Sequence, residues 1–345
     1  MIDQIAQRLQ TYCVDKFPHR HNVIIRDLED ITIGWESEIY AFALEHGRAS
    51  HRERQNLVLR LHSGEGAGEK SAREFYSIKR LREVGYPVPQ VYLLERDPSL
   101  FGKPFIIMER IDGQMMWTQF DAADAKSKAA SIRQFCTLFV RLHQTDWRLF
   151  MNEAEQPRLN DPYVFLDEWF GVAQKYLEQF PGSGFRAVVE WLKERRALMP
   201  YRKPSPTHND FHPGNVLVQD DDSLVVIDWT GFQISDARFD LAWTLILAHA
   251  YMGAEWREII LREYEHFSAG SVDALDCFIV FACARRLFDI TTSLLHGAEK
   301  MGMRANAVAS MKKNKAAHER VYRLLMERTG LRVKEVDEML LSLYS

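Results

Sequence analysis

Between residues 208 and 228 the chain places a carboxylate, an amide and a second carboxylate at a spacing that suits phosphoryl transfer. The run is His208-Asn209-Asp210-Phe211-His212-Pro213-Gly214-Asn215, followed by Ile227-Asp228-Trp229. Moving a phosphoryl group onto a hydroxyl calls for an Asp that accepts the hydroxyl proton, an Asn five residues later on Mg²⁺, and a further Asp on Mg²⁺. Asp210, Asn215 and Asp228 occur in that order. Mg²⁺ takes few protein oxygens, and phosphates complete its octahedron.

These residues need elements to hold them. Val216-Leu217-Val218 and Leu224-Val225-Val226-Ile227 read as short strands joined by the polar turn Gln219 to Ser223, a hairpin whose ends would bring Asn215 and Asp228 together. Upstream, Val23 to Ile33, Glu38 to Glu45, Leu57 to His62, Val91 to Leu94 and Pro104 to Ile111 read as strands. Glu69 to Val84 reads as a helix stopped by Gly85 and the prolines Pro87 and Pro89. Beyond Gly113 the periodicity turns helical: Ile132, Phe135, Cys136, Phe139, Leu142 and His143 mark one face. Further helices are expected over Tyr163 to Phe180, Phe185 to Leu198, Ala237 to Tyr251, Ala254 to Phe267 and Val272 to Leu295, with one last helical stretch from Ala307 toward Leu341. The expected fold is α+β and two-lobed: a small antiparallel sheet lobe with a leading helix over 1–112, and a larger, mainly helical lobe over 113–345.

Composition narrows the setting. Of 345 residues, 46% are hydrophobic and 27% charged, as in ordinary soluble proteins, and the length suits two lobes. A net charge of −4 gives no electrostatic case for nucleic acid or an anionic membrane as partner. Cys13, Cys136, Cys277 and Cys283 lack ligand or CxxC spacing and read as buried thiols of a reducing compartment. The polar residues Asp3, Gln4, Gln7 and Arg8 interrupt any export signal, and no run of about 18 apolar residues suggests a membrane span, so a cytoplasmic location is expected.

The motifs together resemble the aminoglycoside phosphotransferase and choline kinase group, small-molecule kinases with the two-lobed protein-kinase-like fold. His208 to Asn215 is similar to that group's H-G-D-x-H-x-x-N loop, with Asn209 in place of the Gly. Ile227-Asp228-Trp229 is similar to its I-D-W/F metal motif, and Asp240-Leu241-Ala242 to its D-L-A. The likeness runs from about residue 30 to 245. It implies ATP and Mg²⁺ as cofactors, Asp210 as base, Asn215 and Asp228 as metal ligands, and a small-molecule hydroxyl as acceptor. It implies supporting roles for His208, His212 and Asp240: a histidine holding the loop, a neighbour of the transferred phosphate, and an acceptor of loop hydrogen bonds.

The resemblance also assigns a nucleotide side. Arg60, ending Leu57-Val58-Leu59-Arg60, stands where the group carries a phosphate-binding lysine; a planar, permanently charged fork replaces a point charge. Glu74 resembles the helix glutamate that pairs with this cation, and it shares an inward stripe with Ile78 and Leu81, unlike Glu69 and Glu83. Gly34-Trp35-Glu36-Ser37-Glu38 stands at the phosphate-covering turn, with Ser37 as a donor. In Phe105 to Ile111, Met108 would line the adenine pocket, with the Glu109 carbonyl and Ile111 amide as its hydrogen-bonding edge. Two other classes compete: a non-catalytic nucleotide-binding relative, suggested by Arg60 and the Gly-poor turn, and a protein kinase or scaffold. The latter lacks Asp-Phe-Gly, Ala-Pro-Glu and an activation segment here. Trp169, Phe170, Trp243 and Asp289 are candidate acceptor-side residues, and Arg285, Arg286, Lys300 and Arg304 lean toward an anionic acceptor. Oligomeric state is left open.

Overall fold

Five strands, β1 (Ile24–Asp30), β2 (Glu38–Arg48), β3 (His51–Leu61), β4 (Val91–Glu95) and β5 (Phe105–Glu109), pair antiparallel in the order β1-β2-β3-β5-β4. The structure is a computed structural model describing residues 2–32, 37–48, 51–64, 66–118, 124–297 and 307–343. Gly34, Trp35 and Glu36 of the expected phosphate-covering turn, and Lys300 and Arg304, lie outside the described residues.

Side chains alternate across a strand, so one residue in two shares a face. Leu57, Leu59 and Leu61 of β3 join Tyr40, Phe42 and Leu44 of β2 and Phe105 and Ile107 of β5 in one buried cluster. Helix α1 (Ile2–Lys16) closes it with Leu9 and Cys13. Arg60 and His62 therefore take the opposite face, with Ile39 and Ile106 paired beside Arg60. Strand β3 begins well before Leu57, because Arg52 and Arg54 pair across the strands with Glu45 at 3.4 and 3.5 Å. Cross-strand charges carry the ladder where the apolar pattern is silent.

Helix α2 (Ala67–Glu83) buries Glu74, Ile78 and Leu81, and Gly85 ends it at φ +76°, a left-handed stop that glycine adopts without strain. The hairpin Val216–Val218 and Leu224–Val226 closes through the Gln219 amide on the Ser223 carbonyl at 2.9 Å. Its outgoing end packs on the residues after α2: the Val226 amide donates to the Pro87 carbonyl at 2.9 Å, and Trp229 lies edge-on to Tyr86 at 5.7 Å. The first of two compact units accordingly comprises Met1–Gly113 together with Leu217–Thr230, and the second Gln114–Val216 and Gly231–Ser345.

The second unit holds helices α3 (Ala125–Gln144), α4 (Val164–Gln179), α5 (Phe185–Glu194), α6 (Ala237–Tyr251), α7 (Ala254–Ser268), α8 (Leu275–His296), α9 (Ala307–Lys313), α10 (Lys315–Thr329) and α11 (Lys334–Ser342). Helix α6 is buried along most of its length and packs on α7, α8 and α10. Such a helix is apolar on every side because it sits within the core. The last helical stretch is three helices instead of one: the chain breaks at Asn314 and again at Gly330, whose φ of +71° caps α10. Two short strands, Ser205–Thr207 and Gln233–Ser235, pair antiparallel and lead into and away from the motif region. No helix among the described residues is long and apolar enough to cross a membrane.

Candidate active site

The loop after Thr207 is held from beneath by Asp240. This fully buried carboxylate, in the first turn of α6, accepts from the His208 amide at 2.6 Å and the Asn209 amide at 2.8 Å. His143 of α3 lies 3.2 Å from it through Nε2 and is itself bonded to the Tyr264 hydroxyl at 2.8 Å. His208 is buried and supplies its backbone to this contact, while its ring meets Phe211 edge-on. Asn209 has φ +62°, a left-handed conformation that glycine adopts without strain. Among side chains bearing a Cβ, Asn is one of the few that adopt this region readily. Its amide also donates to Thr207 Oγ1 at 3.1 Å and to the Gly231 carbonyl at 2.8 Å, which ties the loop to the chain leading into Gln233.

Asp210 follows with a half-exposed side chain. Its Oδ1 accepts from Trp243 Nε1 at 2.8 Å, and its Oδ2 lies 3.3 Å from Asn215 Nδ2 and 3.6 Å from His212 Nε2. Burial works against the charge, but His212, the Trp243 indole and His208 outweigh it and hold the carboxyl well below the usual range. Asp210 is therefore ionised at any physiological pH. His212 Nδ1 accepts from the Gly214 amide at 3.0 Å, so its ring proton sits on Nε2, the nitrogen facing Asp210. Gly214 is there for space: a Cβ would meet Trp117 Nε1 at 2.2 Å. Asn215 spends its Nδ2 on the Asp210 carbonyl at 2.9 Å. A carbonyl can only accept, so the orientation of this amide is fixed and Oδ1 is the oxygen left to serve as a ligand.

In the first unit Arg60 sits among three oxygens on the sheet face opposite α1. Its Nη2 donates to Asp228 Oδ1 at 2.6 Å, its Nη1 is 3.3 Å from Glu74 Oε1, and its Nε reaches Ser37 Oγ at 3.4 Å. Arg60 and Glu74 are buried, and Asp228 is about one third exposed. Asp228 also accepts from Thr230 Oγ1 at 3.0 Å and stands at φ +65°, a second residue held in a left-handed conformation beside a candidate ligand position. Glu69 and Glu83 point elsewhere: Glu69 pairs with Arg96, and Glu83 with Arg80 at 2.8 Å. Met108 is buried in β5, Glu109 ends that strand with its side chain accepting the Gln90 amide at 2.9 Å, and Ile111 lies just past it. Asn215 belongs to the second unit and Asp228 to the first.

His62 is a member of this cluster that motif reading passes over. Its Nε2 is 3.2 Å from Glu74 Oε2, on the side of the carboxylate away from Arg60. The signal was in the register, since a residue two after Arg60 shares its face. Burial, then the Arg60 charge, push His62 down to about 3, and burial pushes Glu74 up to about 7 against the pull of Arg60. The signs oppose each other. A depressed histidine costs stability as pH falls below its unfolded value near 6.5, whereas a raised carboxyl costs stability as pH rises toward 7. We therefore expect His62→Gln to resist acid better than the parent: the difference in melting temperature should shift in its favour from pH 7 to pH 5. An unchanged difference would show that His62 binds its proton equally well folded and unfolded, and a shift toward the parent that the fold favours the protonated ring.

Of the acceptor-side candidates, Phe170 is core, packed on Phe281 at 5.7 Å, and Trp169 packs edge-on to the same ring at 4.3 Å. Trp243 instead touches the loop directly through Asp210.

Hard oxygen donors of this type, Asp228 carboxylate and Asn215 amide oxygen, fit Mg²⁺ by their chemistry. Residues 27–275 match the family described as phosphotransferase enzyme family. Among solved structures, an aminoglycoside phosphotransferase so named from Ralstonia eutropha, itself assigned only by likeness, is 15% identical with a TM-score of 0.65, over 93% of this chain and 98% of that one. A second, solved with GDP and kanamycin, is 17% identical with a TM-score of 0.58 over 93% and 98%. A spectinomycin phosphotransferase solved with ADP and spectinomycin is 14% identical with a TM-score of 0.54 over 92% and 98%. At these identities the likeness establishes the two-lobed protein-kinase-like fold.

Proposed function

Because the chain belongs to the phosphotransferase enzyme family, we propose that it transfers the γ-phosphoryl group of ATP to a hydroxyl of a small molecule. The observation that carries this reading is Asp210: an ionised, half-exposed carboxylate fixed by the Trp243 indole and placed one turn of loop before Asn215. Held this way it orients the acceptor hydroxyl and takes its proton as the bond to phosphorus forms. A strongly acidic base suffices, since the transferred group is already electrophilic and catalysis is mostly positioning. Arg60, steadied by Glu74 and His62, is the cation for the nucleotide phosphates, with Ser37 beside it. Met108 and the backbone of Glu109 and Ile111 serve the adenine. Asn215 and Asp228 are the residues to hold Mg²⁺, which neutralises phosphate charge when bound.

The grip of Arg60 on Asp228 favours a second reading, a nucleotide-binding relative without turnover. Metal dependence separates the two. In the phosphotransferase, Asp228→Ala should weaken Mg-ATP binding by about 10- to 100-fold and abolish its Mg²⁺ dependence, as loss of a charged ligand requires. Calorimetry with and without Mg²⁺ measures it, and phosphorus NMR on a panel of hydroxylated compounds scores transfer. Tight ATP binding without transfer to any of them would establish the second reading.

A further inference from the structure

We propose that the acceptor carries an oxyanion, a carboxylate or phosphate ester, and that Arg285 recognises it beside Asp210. The proposal rests on the phosphotransferase reading and assigns a substrate class to it. Helix α8 presents two consecutive arginines to α6. Arg285 is exposed, its guanidinium stacked 4.2 Å over the Trp243 ring, while its Nη1 makes a long 3.5 Å contact with the Asn209 carbonyl. The same indole donates its N–H to Asp210. One tryptophan thus joins the base at its edge to a cation on its face.

Arg286 is 6% exposed, its Nη2 donates to the Tyr251 hydroxyl at 2.5 Å, and its Nε has no hydrogen-bond partner. Tyr251 is itself exposed and meets Trp117, the residue that packs on Gly214 and His212. Among the described residues no carboxylate lies within ion-pair distance of Arg285 or Arg286. A buried arginine such as Arg286 is costly without an acid. Among the described residues these two cations have no carboxylate partner, and Arg285 stands against the loop itself. Stacking on the indole keeps the Arg285 fork flat and its outer N–H groups turned to solvent, a geometry suited to a bidentate oxyanion. The same charges repel polycations, so selection works by exclusion as well as by attraction.

The test uses the full chain with AMP-PNP and Mg²⁺, and a panel matched in shape: 3-hydroxybutyrate against its amide, glycerate and glycerol 3-phosphate against glycerol, with kanamycin as the cationic member. Calorimetry should show each anion preferred over its neutral partner by roughly 10- to 100-fold, the effect of a hydrogen bond to a charged group. Arg285→Gln should erase that preference, and Arg285→Lys should restore part of it, while AMP-PNP affinity stays as in the parent. Equal binding of acid and neutral partner, tighter binding of kanamycin, no binding of any anion, or a preference that survives Arg285→Gln would each overturn the proposal. Anion binding that depends on Arg285, with ATP present and no product formed, would leave the oxyanion site standing and remove the phosphotransferase reading instead.

Discussion

Asp210→Asn is expected to lower phosphotransfer by about 10²- to 10⁴-fold, the range for a lost general base, with Mg-ATP affinity within a few-fold of the parent. The surroundings of the residue sharpen the expectation. The carboxylate faces three donors, from Trp243, Asn215 and His212, whereas an amide brings only one acceptor. Whichever way Asn is turned, one N–H group meets another. The variant therefore loses alignment as well as basicity, and a modest loss of melting temperature is expected with the loss of rate. Single-turnover measurement with saturating ATP isolates the chemical step. Turnover within about tenfold of the parent would show that another group takes the proton.

Arg60→Ala is expected to destabilise the protein by about 3–5 kcal/mol at pH 8, since removing one member of a buried pair strands the other. That cost attaches to Glu74, which is 1% exposed; Asp228 reaches solvent and adds little. The pH dependence identifies the cause. Burial already raises the Glu74 carboxyl to about 7, and loss of the neighbouring cation raises it further. A raised carboxyl penalises folding as pH climbs above its unfolded value, so the deficit should shrink toward pH 5. Urea unfolding at pH 5 and 8 measures this, and adding Glu74→Gln should recover much of the loss at pH 8. An equal deficit at both pH values would rule out a stranded carboxylate. In binding, ATP should suffer more than adenosine, and Arg60→Lys should restore only part, because an ammonium cannot bridge Glu74 and Asp228 with one planar fork.

Local pattern makes much of this protein legible in its sequence. Gly85 with its prolines marks the end of α2, and Gln219 to Ser223 marks the hairpin, because turn chemistry is written in single residues. Glu74 could be picked from three glutamates by its helical face. Two kinds of contact were hidden. Arg60 to Asp228 spans 168 positions, and no periodicity reports a partner so distant in sequence. Trp243 stands among the candidate acceptor-side residues, but nothing in the sequence ties it to Asp210, since the indole N–H that reaches Asp210 has no signature of its own. His62 falls between: the strand register puts it on the face of Arg60, but no motif marks it. The breaks at Asn314 and Gly330 were visible as residues, yet a sustained apolar stripe on both sides masked them.

The first unit is discontinuous in the chain, and this sets an order of events during synthesis. Residues up to Gly113 leave the ribosome more than a hundred positions ahead of Leu217–Thr230, the segment that completes their unit. Until then the nascent sheet has Arg60 with Glu74 but lacks Asp228, and Tyr86 lacks the Trp229 ring. The Pro87 carbonyl likewise waits for Val226. A fragment ending at residue 113 is thus an unfinished fold, missing the hairpin that completes its unit. The residue proposed to ligate metal arrives together with the tryptophan that packs on Tyr86, so a proposed function and a piece of core are delivered in one step.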